Sequence, residues 1–227
     1  MGTKSSTKSP PDTKKASKAW VLVVAGYSIA AVALVAFLTI NGASGIPTAA
    51  TIGTAALIAI GLLLPAAGML QLWMGLGPTE GAAKYGFSMQ AFGFVALFFG
   101  VVLIVALPTL TAYLISALLV ITASVSAIAG AVLLHRHFAK TNASNRGGAA
   151  YLILGTVLIF SGVGAIVGSN IAFEYLISQV QNTVYVDIGA AVSACGFVLA
   201  AYSFYILHHH SSTCSILEDS SISENGL

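Results

Sequence analysis

Charge is what this sequence has least of. Nine basic and seven acidic residues are spread over 227 positions, 7% of the chain against roughly 25% in a soluble domain. With 57% of its residues hydrophobic, the chain is excluded from the soluble and the disordered classes alike. Cysteine is nearly absent. Cys195 sits in an apolar run and Cys214 in the polar tail, so a disulfide-stapled scaffold is excluded too. The few charges also cluster, leaving Ala19 to Thr79, Tyr85 to His135, Gly147 to Phe173 and Ile188 to Leu217 without any. Blocks of this length match membrane spans.

A helix crosses the hydrocarbon layer with roughly 20 apolar residues, because lipid offers the backbone no hydrogen-bond partner. On that measure the expected fold is all-α with six crossings: Ala19–Ile40, Thr48–Leu76, Tyr85–Leu107, Leu110–Leu134, Gly148–Asn170 and Thr183–Leu207. Asn41-Gly42, Gly77-Pro78, Pro108 and Asn145-Arg146-Gly147-Gly148 separate them, and Pro65 is expected to kink the second. A transmembrane barrel would alternate polar and apolar residues, whereas these runs are continuous. The first run is longer than a signal-peptide core and five more follow, so it reads as a retained span. No internal repeat stands out.

With six spans and the amino terminus inside, all nine Lys and Arg residues fall on the cytoplasmic side, as the positive-inside rule requires, and Glu174 and Asp187 face outward. Both termini are then cytoplasmic, and the expected location is the plasma membrane. Residues 1–18 read as a disordered basic arm suited to anionic headgroups, 19–207 as the transmembrane domain, and 208–227 as a solvated Ser-rich acidic tail. Asn142-Ala143-Ser144 has the form of a glycosylation site but falls in a cytoplasmic loop.

Apart from Asp187, near the outer end of the sixth, no Asp, Glu, Lys, Arg or His lies within a span, which weighs against an ion pump. The chain also has no HExxH, no Walker loop and no Ser/His/Asp set at membrane depth, so no enzyme, cofactor or metal is expected. His135, His137 and His208 to His210 read as a solvated loop and a helix end. What remains in the spans is neutral polarity. Ser and Thr there mostly bond to their own helix or join neighbours, but the primary amides Gln71, Gln90 and Asn170 must each face a helix, a partner or a wet pathway. Gly164 to Gly168 form a GxxxG step that permits close helix contact.

One stretch carries a family likeness. Gly68-Met-Leu-Gln71-Leu-Trp-Met-Gly75-Leu76 closes the second span, and Lys84-Tyr85-Gly86-Phe87-Ser88-Met89-Gln90-Ala91-Phe92-Gly93 opens the third. The pair resembles the acetate uptake transporter family, the succinate–acetate permease group, in which Gly-x-x-Gln-x-x-x-Gly-Leu is followed about fourteen residues after the Gln by an aromatic-Gly pair. Gly26-Tyr27 is similar to the Gly-Phe pair of that family's first helix. The family's Asn-Pro-Ala-Pro-Leu-Gly-Leu opening is replaced here by Ser17-Lys18-Ala19-Trp20-Val21-Leu22. The aromatic expected a turn into the third helix is Phe92 or Phe94, with Phe92 named as the neck residue.

The resemblance implies a transporter or channel that passes small monocarboxylates such as acetate through a narrow pore in each protomer of a homo-oligomer, a hexamer by family analogy. Tyr27, Gln71, Phe92 and Asn170 are the expected pore residues. Gln71 would donate to the carboxyl group, and Tyr27 and Phe92 would close an apolar neck. A carboxylate is costly to desolvate without fixed charge, so crossing as the neutral acid, proton-linked, is favoured. Two other readings fit the residues: an accessory subunit of a membrane complex, and a channel for urea-like amides. Transport predicts that Tyr27, Gln71 and Asn170 converge on one axis.

Overall fold

Six helices, each apolar around its whole circumference, have no soluble solution and must share their surface with lipid. The computed structural model of the chain describes residues 13–41, 48–77, 80–107, 109–141, 145–175 and 182–224. They form α1 (Thr13–Asn41), α2 (Thr48–Gly75), α3 (Gly81–Ala106), α4 (Leu110–Thr141), α5 (Asn145–Tyr175) and α6 (Asn182–Glu224). All six are long and apolar enough to cross a membrane, and no strand occurs among the described residues. This is an all-α, six-span integral membrane protein. Val32, Leu118 and Val125 are among many large apolar side chains left exposed on its outer surface, which suits a lipid solvent.

Two of the expected tails are partly helical. Thr13 to Lys18 begin α1, and α6 continues through the His-rich and Ser-rich segment to Glu224. No Gly or Pro lies between Leu207 and Glu224 to stop it. The arm before Thr13 and the Asn142-Ala143-Ser144 tripeptide lie outside the described residues. At the head of α4, Thr109 acts as the cap, its Oγ1 accepting from the Ala112 N–H at 3.3 Å.

The helices close into a ring. Each lies against its neighbours in chain order, α6 returns to α1, and no other pair of helix backbones approaches among the described residues. Successive helices are antiparallel, so Lys18, Lys84, Arg136, Lys140 and Arg146 gather at one end, called the basic end below. Trp73, Tyr85, Tyr151, Tyr202 and Tyr205 are exposed toward that end, and the Lys84 ammonium lies 5.7 Å from the Trp73 ring centroid. Such an aromatic and basic girdle marks a membrane–water boundary.

A repeat does exist, at a spacing of seven. Small residues recur as Ala19-Gly26-Ala33 on α1, Thr54-Gly61-Gly68 on α2, Gly86-Gly93-Gly100 on α3, Ser116-Ala123-Gly130 on α4, Gly148-Gly155-Gly162 on α5 and Gly189-Gly196-Ser203 on α6. These positions zip α1 to α2, α3 to α4 and α5 to α6 into three hairpins. A Cβ on Gly155 would stand 2.8 Å from Ala200 N and Gly196 O, and one on Gly93 2.8 Å from the Ala127 Cβ, so both contacts need hydrogen there. A seven-residue repeat matches left-handed, near-antiparallel packing. Where the small residue is Ser it also donates across the contact: Ser116 Oγ to Gly100 O at 2.9 Å, and Ser203 Oγ to Gly148 O at 2.5 Å. Pro65 stays inside a continuous α2, with its ring seated on Gly26.

Candidate functional site: the interior of the ring

The residue just after each small heptad position lies about 100° further round its helix, which turns it from the hairpin contact to the inside of the ring. Tyr27, Leu62, Met69, Phe87, Phe94, Ala131, Thr156, Phe197 and Phe204 all follow such positions and all are buried. Their contacts confirm that they meet in the interior. The Tyr27 ring lies 5.3 Å from Phe94, 6.0 Å from Phe197 and 5.8 Å from Phe204, centroid to centroid, and Phe94 reaches Phe160 at 6.0 Å. Helices α1, α3 and α5 do not touch by backbone, so these rings meet across the axis.

Toward the basic end the interior is closed by Trp20. Its ring packs 6.3 Å from Phe87, 6.5 Å from Phe138 and 5.5 Å from Phe204, and stacks on His208 at 5.9 Å and 17°. Edge-to-face and offset geometries of this kind hold aromatic side chains firmly in place.

Polar atoms are few here and neutral. Gln90 on α3 is 0% exposed; its Nε2 donates to Ala127 O on α4 at 2.9 Å and to Thr156 Oγ1 on α5 at 3.3 Å. Thr156 Oγ1 in turn donates to Leu152 O at 2.8 Å. Two atoms in this region are buried without a partner, Gln90 Oε1 and the Tyr27 hydroxyl. A buried polar atom left unpaired costs about 1–3 kcal/mol, so two of them around one interior call for an explanation. Among the described residues no three His, Cys, Asp or Glu side chains gather as metal ligands would.

The four expected pore residues part company. Tyr27 is at the centre of the interior. Asn170 follows Ser169, one heptad beyond Gly162, so it continues the inward row of α5; it is half-buried, and its Nδ2 donates to Ile166 O at 2.9 Å. Gln71 stands two residues past the inward Met69, about 200° around α2, and is exposed on the outside of the ring. Phe92 stands two residues before the inward Phe94 and is 55% exposed. Tyr27 and Gln71 therefore do not converge on one axis within the protomer, and of the two α3 aromatics it is Phe94, not Phe92, that meets Tyr27. Gln90 carries little weight in the sequence, and Thr156, Phe197 and Phe204 do not stand out there. The signal that finds all but Gln90 is the position after each small residue of the sevenfold repeat. The outward GxxxG step is likewise not used inside the protomer, since a Cβ on Gly164 or Gly168 would meet nothing within 4 Å.

Comparison with models of known protein families, with curated proteins and with solved structures finds no match to this chain.

Proposed function

We propose that the ring is a permeation route for small monocarboxylates of acetate size, crossing along its interior. The observation that carries this reading is the pair of neutral, partnerless polar atoms, Tyr27 Oη and Gln90 Oε1, enclosed where six helices surround side chains only. Such atoms are uncommon in a wall built only for packing. The motif spacing around Gln71, Tyr85 and Gly86 supports the same substrate class through the resemblance already described.

The interior suits a small, nearly neutral cargo. Aromatic rings from α1, α3, α5 and α6 fill the axis, so a solute passes only as Phe94, Phe197 and Phe204 shift, which limits its size. No charged residue lies in the apolar core of a span to stabilise an anion, so transfer of the neutral acid, with its own proton, has the lower cost. The basic end faces the cytoplasm in this reading, by the positive-inside rule. Homo-oligomers, hexameric by family analogy, would bring the outward Gln71, Gly164 and Gly168 against neighbouring copies.

The test is uptake of labelled acetate by purified protein in liposomes under an imposed pH gradient, with propionate and urea as competitors. Saturable uptake stimulated by outside acid is the expected result. Uptake no greater than that of empty liposomes, from folded protein, would reject the reading.

A further inference from the structure

We propose that Gln90 and Tyr27, braced by Thr156, form a binding site for a small neutral solute that carries a hydrogen-bond donor and an acceptor on one planar carbon. Two solute types share that chemistry: an undissociated short carboxylic acid and a primary amide. The proposal rests on the reading of the ring interior as a route for solutes, and it names what the route recognises.

Which end of the Gln90 amide is free decides what the site can accept. Ala127 O can only accept, so the atom that faces it at 2.9 Å must be Nε2. Thr156 Oγ1 has committed its proton to Leu152 O, so it too accepts from Nε2. Turning the amide over would set Oε1 against two acceptors. Gln90 is thereby locked with both Nε2 protons used and Oε1 open, an acceptor awaiting a donor. The Tyr27 hydroxyl is the second open group and brings a proton of its own. Tyr27 lies between Phe197 and Phe204 and packs on Phe94, one turn along α3 from Gln90, which puts the two residues about one helical turn, ~5 Å, apart in depth.

The complementary solute follows directly. A carboxylic acid donates its O–H to Gln90 Oε1 and accepts the Tyr27 proton on its carbonyl oxygen. A primary amide does the same with an N–H. A carboxylate has acceptors only and would set its charge against Oε1. No Asp, Glu, Lys, Arg or His lies within the membrane core of the six helices to offset it. The site therefore reads protonation state as well as size, and it admits amides at any pH.

Thermal unfolding of the purified protein with acetate or acetamide, at about pH 5 and about pH 7, tests this, because the carboxyl group titrates near the lower value. Acetamide is expected to raise Tm equally at both, and acetate only at the lower. Both shifts should vanish in Gln90→Met and in Tyr27→Phe, and Tyr27→Phe carries the test if Gln90→Met does not fold. An acetate shift as large at the higher pH overturns the proposal. So does a wild-type protein that responds to neither solute, or variants that keep both responses. Liposome uptake separates this site from the broader reading: uptake without binding at Gln90 leaves permeation standing and removes the site, whereas binding without uptake keeps the site and removes permeation.

Discussion

Whether a neutral polar side chain in a membrane helix does chemistry or only packs is decided by where its hydrogen bonds go. Ser28, Thr122 and Ser124 return theirs to carbonyls of their own helices four residues back, and Ser126 and Ser193 give theirs to a neighbour's backbone. Those are spent groups. Gln90 differs, because its donors are used and its acceptor is not. Ser203→Ala, which loses an inter-helix bond to Gly148 O, is expected to lower stability by about 0.6 kcal/mol, the average for such bonds in membrane proteins. Ser161→Ala, on the exposed face of α5, should be neutral. Equilibrium unfolding in mixed detergent checks both.

Span number and the breaks between spans were legible in the sequence because charge and the Gly, Pro and Asn breakers mark them, whereas α1, α4, α5 and α6 run beyond the apolar stretches into polar sequence. Which face of each helix points inward was not, for a physical reason. A soluble helix announces its buried face by polarity, whereas here lipid and interior are both apolar and no amphipathic contrast arises. Gln71 and Gln90 look equally costly in a list, and Phe92 and Phe94 equally aromatic. Only the register of small residues separates them, and that register becomes readable once the hairpins are seen. The pattern also makes a prediction about elements. Gly155→Ala drives a methyl group into Ala200 N and Gly196 O and should cost about 1–3 kcal/mol, as overpacking does. Gly164→Ala, with open space around its Cβ, should stay within about 0.5 kcal/mol. If the two variants unfold alike, the sevenfold contact is not what holds α5 to α6.

At the scale of the whole molecule, three hairpins enclose a space that no helix occupies, with basic residues at one end and neutral polarity at mid-depth. Single cysteines placed at position 18 and position 136, in a background lacking Cys195 and Cys214, should react with a membrane-impermeant reagent only after the cell is opened. Reaction in intact cells would invert the proposed orientation. The central claim, that solute moves through the ring and not along its outside, is tested most directly by two variants two residues apart on α3. Phe94 faces Tyr27 in the interior, and Phe92 faces outward. In the liposome assay Phe94→Ala is predicted to alter both the rate of acetate uptake and its discrimination against larger acids, while Phe92→Ala changes either far less. Equal effects, or the reverse order, would contradict the account.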